Sequence, residues 1–233
     1  MVDVASGLLY YVVFLFSTTF HEAAHAWAAM LGGDLTAYHG GQVSLDPRPH
    51  IKREPFGMVI LPLLTSVTSG WPIGFASAPF DPTWALRHPR RAAWMALAGP
   101  GANLALVLIA GILMRLGGVA GIFEAPHEVS FGHLVDTPEG TWRTIGFLLS
   151  AFFSLNLVLA FLNLIPLPPL DGSSAIPLVL NQSMAARYQH FMLGSGRALA
   201  FVGLFAAWKI FDVISDPLFL FAVNLLYPGG HYG

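Results

Sequence analysis

The chain has no cysteine, little charge and no run of basic residues. Of its 233 residues, 11 are Lys or Arg and 13 are Asp or Glu, so that only 10% are charged and the formal net charge is −2. Without cysteine there are no disulfides or thiolate sites, and any bound metal must be held by His, Asp or Glu. Without a polybasic tract, nucleic acid is not expected as a partner. A typical soluble domain has about 25% charged residues, far more than this chain.

What the chain has instead is apolar residues, which make up 55% of it and give a mean hydropathy of +0.63. These values predict a polytopic integral membrane protein of the all-α class, surrounded by the lipid bilayer. Its length leaves room for about four to six embedded segments. The N-terminus lacks the basic residues of a cleavable signal peptide, and no repeat or low-complexity tract divides the chain. We therefore expect residues 1–233 to form a single membrane domain.

The most informative stretch is the apolar run at 8–31, which carries the motif His21-Glu22-Ala23-Ala24-His25. Apart from this motif and two tyrosines, nothing ionisable stands in the run. Residues four apart share a face of a helix, so that His21 and His25 can direct two imidazoles at one metal ion. Glu22 is then placed as a general base toward water, as in zinc peptidases. Ionisable residues inside a membrane helix are costly and indicate function.

The remaining apolar segments predict a three-helix core and several additional embedded segments. The run at 8–31 is the first core helix, and the others are expected at 92–116 and 144–165. The further elements predicted are a small membrane-associated β element at 41–45, an apolar segment at 56–79 broken by Pro and Gly, and C-terminal helices at about 194–227, divided into a last span near 194–213 and an apolar piece at 216–227.

The distribution of basic residues predicts the orientation of these segments. Basic loops mark the cytoplasmic side of a membrane; here 34–55 and 80–91 are basic, whereas 117–143 is acidic. The first helix then runs from outside to inside, and 56–79 dips into the membrane and returns. A full span at 56–79 would instead place the basic loop at 80–91 on the wrong side. We expect the site to lie toward the cytoplasmic side of a bacterial inner membrane.

Asp171 is the best candidate for a third metal ligand. Catalytic zinc usually takes three protein ligands and a water. Asp171 follows a proline-rich break in the chain, and Gly172 lets the backbone turn there. Irregular backbone is tolerated in a membrane only where protein or water covers it, which suits an inward-facing carboxylate. Asp212 and Asp216 are the alternatives, although both fall in a region that we place on the other side.

Two further polar residues have more than one interpretation. His50 follows the predicted strand, as an ordinary loop histidine or as a group near the metal. Asn103 stands in a stretch of small residues that begins at Gly99, and such stretches let helices approach closely. Asn103 is therefore expected either to hydrogen-bond between helices or to contact a substrate.

The two motifs together resemble the site-2 protease family of intramembrane zinc metallopeptidases. The first is the His-Glu-x-x-His helix, and the second is the Asn-x-x-Pro-x-x-Pro-Leu-Asp-Gly pattern of this family, matched here by Asn163, Pro166, Pro169, Leu170, Asp171 and Gly172. The resemblance covers about residues 8–180. It is to the compact branch of the family, because no PDZ or CBS module is recognisable.

This resemblance implies a catalytic core at about 8–180 with one Zn²⁺ per chain on His21, His25 and Asp171. It implies Glu22 as the base and Asn163 as a contact for the substrate or the developing oxyanion. The reaction implied is hydrolysis of peptide bonds within or next to transmembrane segments of membrane-protein substrates. Competing hypotheses are a membrane metal-binding or transport protein that uses the same site, and a catalytically silent scaffold.

A helical substrate must unwind before its backbone can be cleaved. The predicted strand at 41–45 could pair with the unwound segment by strand addition. The candidate contacts on this strand are Gly41, Gln42, Val43 and Ser44.

Overall fold

The computed structural model describes residues 4–233, apart from the side chain of Arg197, and these residues are largely helical. Residues 1–3, on which the expectation about a signal peptide partly rests, lie outside the described residues. The helices are, in chain order, α1 (Val4–Leu31), α2 (Thr36–His39), α3 (Pro47–Arg53), α4 (Leu61–Ser69, preceded by a π-helical turn at Phe56–Ile60), α5 (Pro82–Arg87), α6 (Pro89–Val119), α7 (Thr141–Leu164), α8 (Asp171–Ala175), α9 (Gln182–Leu193) and α10 (Ala200–Leu226), with 3₁₀ turns at Ile176–Leu178 and Ser195–Leu199.

Three of these helices, α1, α6 and α7, are long and apolar enough to cross a membrane. They contain 28, 31 and 24 residues, whereas about 20 suffice for a hydrocarbon core of about 30 Å. The helix α6 packs against both α1 and α7, and α1 also contacts α7. The three predicted core helices are therefore confirmed as a packed set, with bounds a few residues wider than expected.

The C-terminal end of α1 is held by two side chains that bind the carbonyl of the residue after it, Gly32. The chain leaves the helix at Gly33, whose φ of +95° is a conformation that glycine adopts easily. Both Trp84 Nε1 and Arg91 Nη1 donate hydrogen bonds to the carbonyl of Gly32, over 3.0 and 3.1 Å. These bonds satisfy an acceptor that a helix end would otherwise leave without a partner.

The predicted β element at 41–45 is wrong, since the described residues contain only isolated β-bridges, none of them in this stretch. Gly41 has φ +73°, and the amide of Gln42 bonds back to the carbonyl of Ala37, so that the backbone turns rather than extends. Alternation over five residues cannot form a strand without a partner to share its hydrogen bonds. The Asp-Pro sequence that follows caps and starts α3, because the Asp46 side chain accepts from the Arg48 amide.

The apolar segment at 56–79 forms a short helix, and the chain that follows returns alongside it. From Phe56 to Ser69 it has 14 residues, about 21 Å at 1.5 Å per residue, which is too short to cross a bilayer. The chain reverses at Gly70, which has φ +77°, and continues without helix or turn over 73–81. A Cβ added at Gly7 of α1 would overlap the backbone at the end of α4, so α4 packs tightly on the first turns of α1.

The C-terminal region contains one long helix where two pieces were predicted. The helix α10 runs without interruption from Ala200 to Leu226, with Pro217 inside it. Its first turns touch the proline-rich segment before Asp171, because a Cβ at Gly203 would overlap the Pro168 backbone. Its last turns place Val223 in a hydrophobic cluster with residues of α6 and α7. These contacts at both ends favour a single helix over the division predicted between 213 and 216.

Candidate active site

His21 and His25 lie one turn apart on the buried face of α1, and their side chains meet. Both residues are buried, with 7% and 6% of their surfaces exposed. Their Nε2 atoms are 3.0 Å apart, and the two rings are nearly perpendicular. The i, i+4 spacing therefore brings two potential ligand atoms to one point inside the helix bundle.

Asp171 reaches the same point from the other end of the sequence. It is the first residue of α8, and its Oδ2 atom lies 3.1 Å from His21 Nε2 and 3.3 Å from His25 Nε2. Gly172 makes this position possible, because a Cβ there would overlap the carbonyls at the end of α7. Gly172 is thus required for a close approach of two backbones, rather than for the sharp turn expected from the sequence.

The outer nitrogens of both imidazoles are held by hydrogen bonds. His21 Nδ1 donates to Asn103 Oδ1 over 2.5 Å, and His25 Nδ1 donates to the Met95 carbonyl over 2.7 Å. With the protons on Nδ1, the lone pairs of both Nε2 atoms point toward Asp171. A hydrogen bond to the far nitrogen is how metal-binding histidines are usually oriented.

Asn103 is itself held by polar residues of the other two core helices. Its Nδ2 donates to Asn156 Oδ1 on α7 over 2.7 Å, and Asn156 Nδ2 donates to Ser17 Oγ on α1 over 2.9 Å. Asn103, Asn156 and Ser17 are all fully buried. This chain of bonds links α6, α7 and α1, and it fixes the His21 ring through groups that are themselves immobile.

Gly99 on α6 leaves the space in which the ligand atoms meet. A Cβ at this position would lie 2.5 Å from His21 Nε2 and closer still to His25 Nε2. Any side chain at residue 99 would therefore displace the imidazoles or fill the place between them. The sequence indicated Gly99 only as a residue that allows close helix packing.

The donor set fits a zinc ion. The three ligand atoms all lie within 4.8 Å of one another. Zinc bonds of about 2.0–2.2 Å in tetrahedral geometry separate ligand atoms by about 3.3 Å, close to the spacing found here. Two imidazoles and one carboxylate leave a fourth position open, as catalytic zinc sites do.

Asp171 has the charge that such a site requires. Burial by itself raises the pKa of the Asp171 carboxyl, but when no ion is bound the positive charge of a protonated His25 and hydrogen bonds from both imidazoles outweigh it, and the pKa falls below the ordinary value. Asp171 is therefore ionised at neutral pH. A cation between the three groups would favour the ionised form in the same way.

Glu22 is buried next to the ligands, with 5% of its surface exposed. Its Oε2 atom has no hydrogen-bond partner among the described residues. A buried carboxylate oxygen without a partner is costly and is rarely retained without a function. The position one residue beyond His21 on the same helix is the one expected for a general base.

Asn163 is not drawn into this cluster. It lies in the last turn of α7, half-buried, and its Nδ2 donates to the Leu159 carbonyl of its own helix over 3.0 Å. Its assignment as a catalytic residue stays a prediction. The alternative ligands Asp212 and Asp216 are on the exposed part of α10 and are also outside the cluster.

The candidate substrate contacts lie elsewhere than expected. Asn103 is fully buried and uses its amide to hold His21 and Asn156, which argues against contact with a substrate. Gln42 is buried as well, and the strand on which docking at Gly41, Gln42, Val43 and Ser44 depended does not form. His50 is buried on α3, where its Nε2 donates to the Ser44 carbonyl. It therefore braces the turn at 41–45, and it is not a loop residue.

Three packed apolar helices and the short α8 bring two histidines, an aspartate and a glutamate with an unpartnered oxygen to one place. This set of side chains is of the kind found in zinc hydrolases. The comparisons agree with this class: the model of Peptidase family M50, the site-2 protease family, matches residues 9–203. The chain belongs to this family. Together with its three apolar helices, this makes it a multi-pass integral membrane protein.

Several bacterial proteins are similar to the chain. YwhC of Bacillus subtilis (strain 168) is 34% identical over 168 residues, which cover 69% of this chain and 64% of YwhC. Rip2 of Mycobacterium tuberculosis is 33% identical over 163 residues, 70% of this chain and 53% of Rip2. The names of both proteins give zinc metalloprotease as a provisional assignment. MmpA of Caulobacter vibrioides, named a metalloprotease, is 33% identical over 104 residues, 41% of this chain and 26% of MmpA.

The chain spans about half to two thirds of the length of YwhC and Rip2. No solved structure gives a significant match to the chain.

Proposed function

We propose that the chain is an intramembrane zinc metalloprotease, which hydrolyses peptide bonds within or next to transmembrane segments of membrane-protein substrates. The observation that carries the proposal is the convergence of His21, His25 and Asp171 beside the unpartnered carboxylate of Glu22. A site built only to hold a metal has no need of that carboxylate. The family and the names of the relatives support the same reaction.

The residues of the site divide into holding and reacting groups. His21, His25 and Asp171 would hold one zinc ion per chain, with Asn103 and the Met95 carbonyl fixing the two rings. The zinc supplies Lewis-acid chemistry, which polarises a carbonyl and lowers the pKa of a water. Glu22 would act as the general base toward the attacking water and would pass its proton to the leaving amine.

Asn163 is proposed to donate to the oxygen of the scissile carbonyl. One of its two Nδ2 protons donates to Leu159 within α7, and the second proton is left for a substrate carbonyl. Such a donor contributes about 3 kcal/mol where it acts on the transition state. Its half-buried position at the end of a core helix leaves it accessible to a substrate, unlike Asn103.

The non-helical segment at 73–81 is proposed to dock the unwound substrate in place of the stretch at 41–45. It runs from Gly74, which lies against Phe14 of α1, to Ala78, which packs on the hydrophobic cluster that contains Ala29. His21 and His25 lie between these two levels. Residue exposure alternates along 73–78, as in a strand.

Along one edge of this segment, a backbone amide has no hydrogen-bond partner among the described residues. The amides of Ile73 and Phe75 bond to Thr65 and Gly57 on the α4 side, whereas the amide of Ala76 has no partner among the described residues. A substrate strand could pair along that free edge. We expect Ala76→Pro, which removes the amide proton, to reduce cleavage while zinc content stays unchanged.

The active site is proposed to face the cytoplasmic side of a bacterial inner membrane. Arg91 binds the last carbonyl of α1, and Arg90 donates to the Leu180 carbonyl just beyond the Asp171 helix. The ends of α1 and α8 therefore share the side that carries the basic residues, which the charge rule places inside the cell.

The proposal is tested by co-expression with a panel of tagged single-span membrane proteins, comparing wild type with Glu22→Gln. We expect some substrates to be cleaved by wild type only. The same proteins reconstituted in vesicles test metal transport: zinc uptake by wild type and Glu22→Gln alike, without cleavage, would favour the transport hypothesis instead.

A further inference from the structure

An apolar cleft lies between α6, α7 and α10, away from the candidate active site. It has a volume of about 480 Å³, within the range of about 300–1,000 Å³ usual for ligand sites. Arg115, at its end, is twelve residues further along α6 than Asn103, about 18 Å at 1.5 Å per residue. The cleft is bordered by apolar side chains of all three helices, among them Leu108, Ile112, Phe153, Leu157, Phe221 and Leu225.

A second, smaller pocket, lined by both apolar and charged residues, adjoins the end of this cleft. Its volume is about 340 Å³, and it shares Arg115 and Val119 with the cleft. Glu124 also lines this pocket. The backbone of Glu124 is fixed by two hydrogen bonds of 2.9 Å with Asp136 in the loop that follows α6. An apolar cavity therefore opens into a pocket that holds one positive and one negative side chain.

The charge of Arg115 is not neutralised by the protein. No acidic side chain of the described residues forms an ion pair with it. Its guanidinium lies 6.0 Å from the centre of the Tyr227 ring. Burial raises the pKa of Tyr227 to about 12, and its hydroxyl donates to the Leu134 carbonyl, so the ring is neutral. Glu124 likewise forms no ion pair within the part of the chain described.

We propose that this pair of cavities binds a phospholipid whose headgroup carries an ammonium group. The acyl chain would occupy the apolar cleft, the phosphate would bind Arg115, and the ammonium would bind Glu124. The pocket has one positive and one negative side chain, and the headgroup has one negative and one positive group. The phosphate, which is nearer the acyl chain, would meet Arg115 at the end of the cleft, and the ammonium would meet Glu124. A headgroup with a phosphate alone would satisfy Arg115 but would place no cation at Glu124.

The position of the cleft gives the lipid a structural role. Residues of α6 and α10 line the cleft together with Phe153 and Leu157 of α7. A bound acyl chain would fill the space between these helices and add contacts that the protein lacks by itself. This inference does not depend on the proposed protease activity.

The test measures lipid binding by the purified full chain, stripped of lipid and supplied with phosphatidylethanolamine or phosphatidylglycerol. Native mass spectrometry counts the lipid retained. We expect wild type to retain more phosphatidylethanolamine, and Arg115→Gln to bind both lipids about tenfold more weakly, since hydrogen bonds to charged groups are strong. Glu124→Gln should abolish the preference between the two lipids without abolishing binding.

Matched controls separate this site from general contact with the bilayer. Arg143→Gln removes an exposed arginine at the start of α7, outside both cavities, and should leave retention unchanged. Ile112→Trp should fill the cleft and reduce retention of both lipids, whereas Ile109→Trp, exposed on α6 but outside the cleft, should not. Equal retention in all variants would mean unspecific lipid only and would overturn the proposal, as would a wild type that prefers phosphatidylglycerol.

Discussion

His21 Nδ1 and Asn103 Oδ1 are joined by a buried hydrogen bond of 2.5 Å that connects α1 to α6. The bond sets the side of the imidazole that faces Asp171. Asn103 is held in turn by Asn156, so its amide cannot follow a turn of the His21 ring without breaking a second buried bond. The orientation of this ligand is therefore determined by the packing of all three core helices.

Replacing Asn103 by leucine should weaken zinc binding by about 10–100-fold, the usual effect of losing the partner of a metal-binding histidine. Competition with a chelator of known affinity measures the change. Asn103→Asp is the matched variant, because a carboxylate can still accept from His21 Nδ1, and it should bind zinc more tightly than Asn103→Leu. Equal affinity in wild type and Asn103→Leu would contradict a positioning role.

Gly99→Ala should remove zinc binding, because the added methyl group would occupy the place where the imidazole nitrogens meet. Gly101→Ala is its control on the same helix, since a Cβ there has no atom within 4 Å. Zinc content per chain distinguishes the two variants. A Gly99→Ala protein with a full complement of zinc would show that the ligand atoms do not converge at this place.

Asp34→Ala should lower the free energy of unfolding by about 1–3 kcal/mol, the cost of leaving buried donors without a partner. Asp34 is buried, and it accepts from the amide and hydroxyl of Thr36 and from the amide of Asp81. It therefore joins the end of α1 to the start of α5. Thermal unfolding in detergent checks the loss, and Asp34→Asn should recover part of it. Identical melting of wild type and Asp34→Ala would refute this link.

The sequence was sufficient for the residues that meet at the site, but not for the groups that hold them. The spacing of His21 and His25 follows from helix geometry, and the resemblance pointed to Asp171. The Met95 carbonyl could not be predicted, because a backbone acceptor leaves no sign in the side chains. The bonds from Asn103 to Asn156 and Ser17 join residues far apart in sequence, and only the packing of the helices selects them.

The errors in the fold have physical causes of the same kind. The alternation at 41–45 suggested a strand, but the backbone there bonds to α2 and turns at Gly41. The better candidate for docking is the non-helical segment at 73–81. In the sequence, its Gly and Pro residues were interpreted only as interruptions of an apolar helix. Two separate pieces were predicted at 194–213 and 216–227, yet α10 continues through this region and Pro217 because contacts near Gly203 and Val223 hold both halves.

The central claim is that His21, His25 and Asp171 hold one zinc ion while Glu22 is not needed for binding. The most direct test is the zinc content per chain of the purified wild type, His25→Ala, Asp171→Ala and Glu22→Gln. We predict one zinc in wild type and Glu22→Gln, and loss of zinc in the other two. Full zinc in Asp171→Ala, or loss of zinc in Glu22→Gln, would contradict the assignment of these residues.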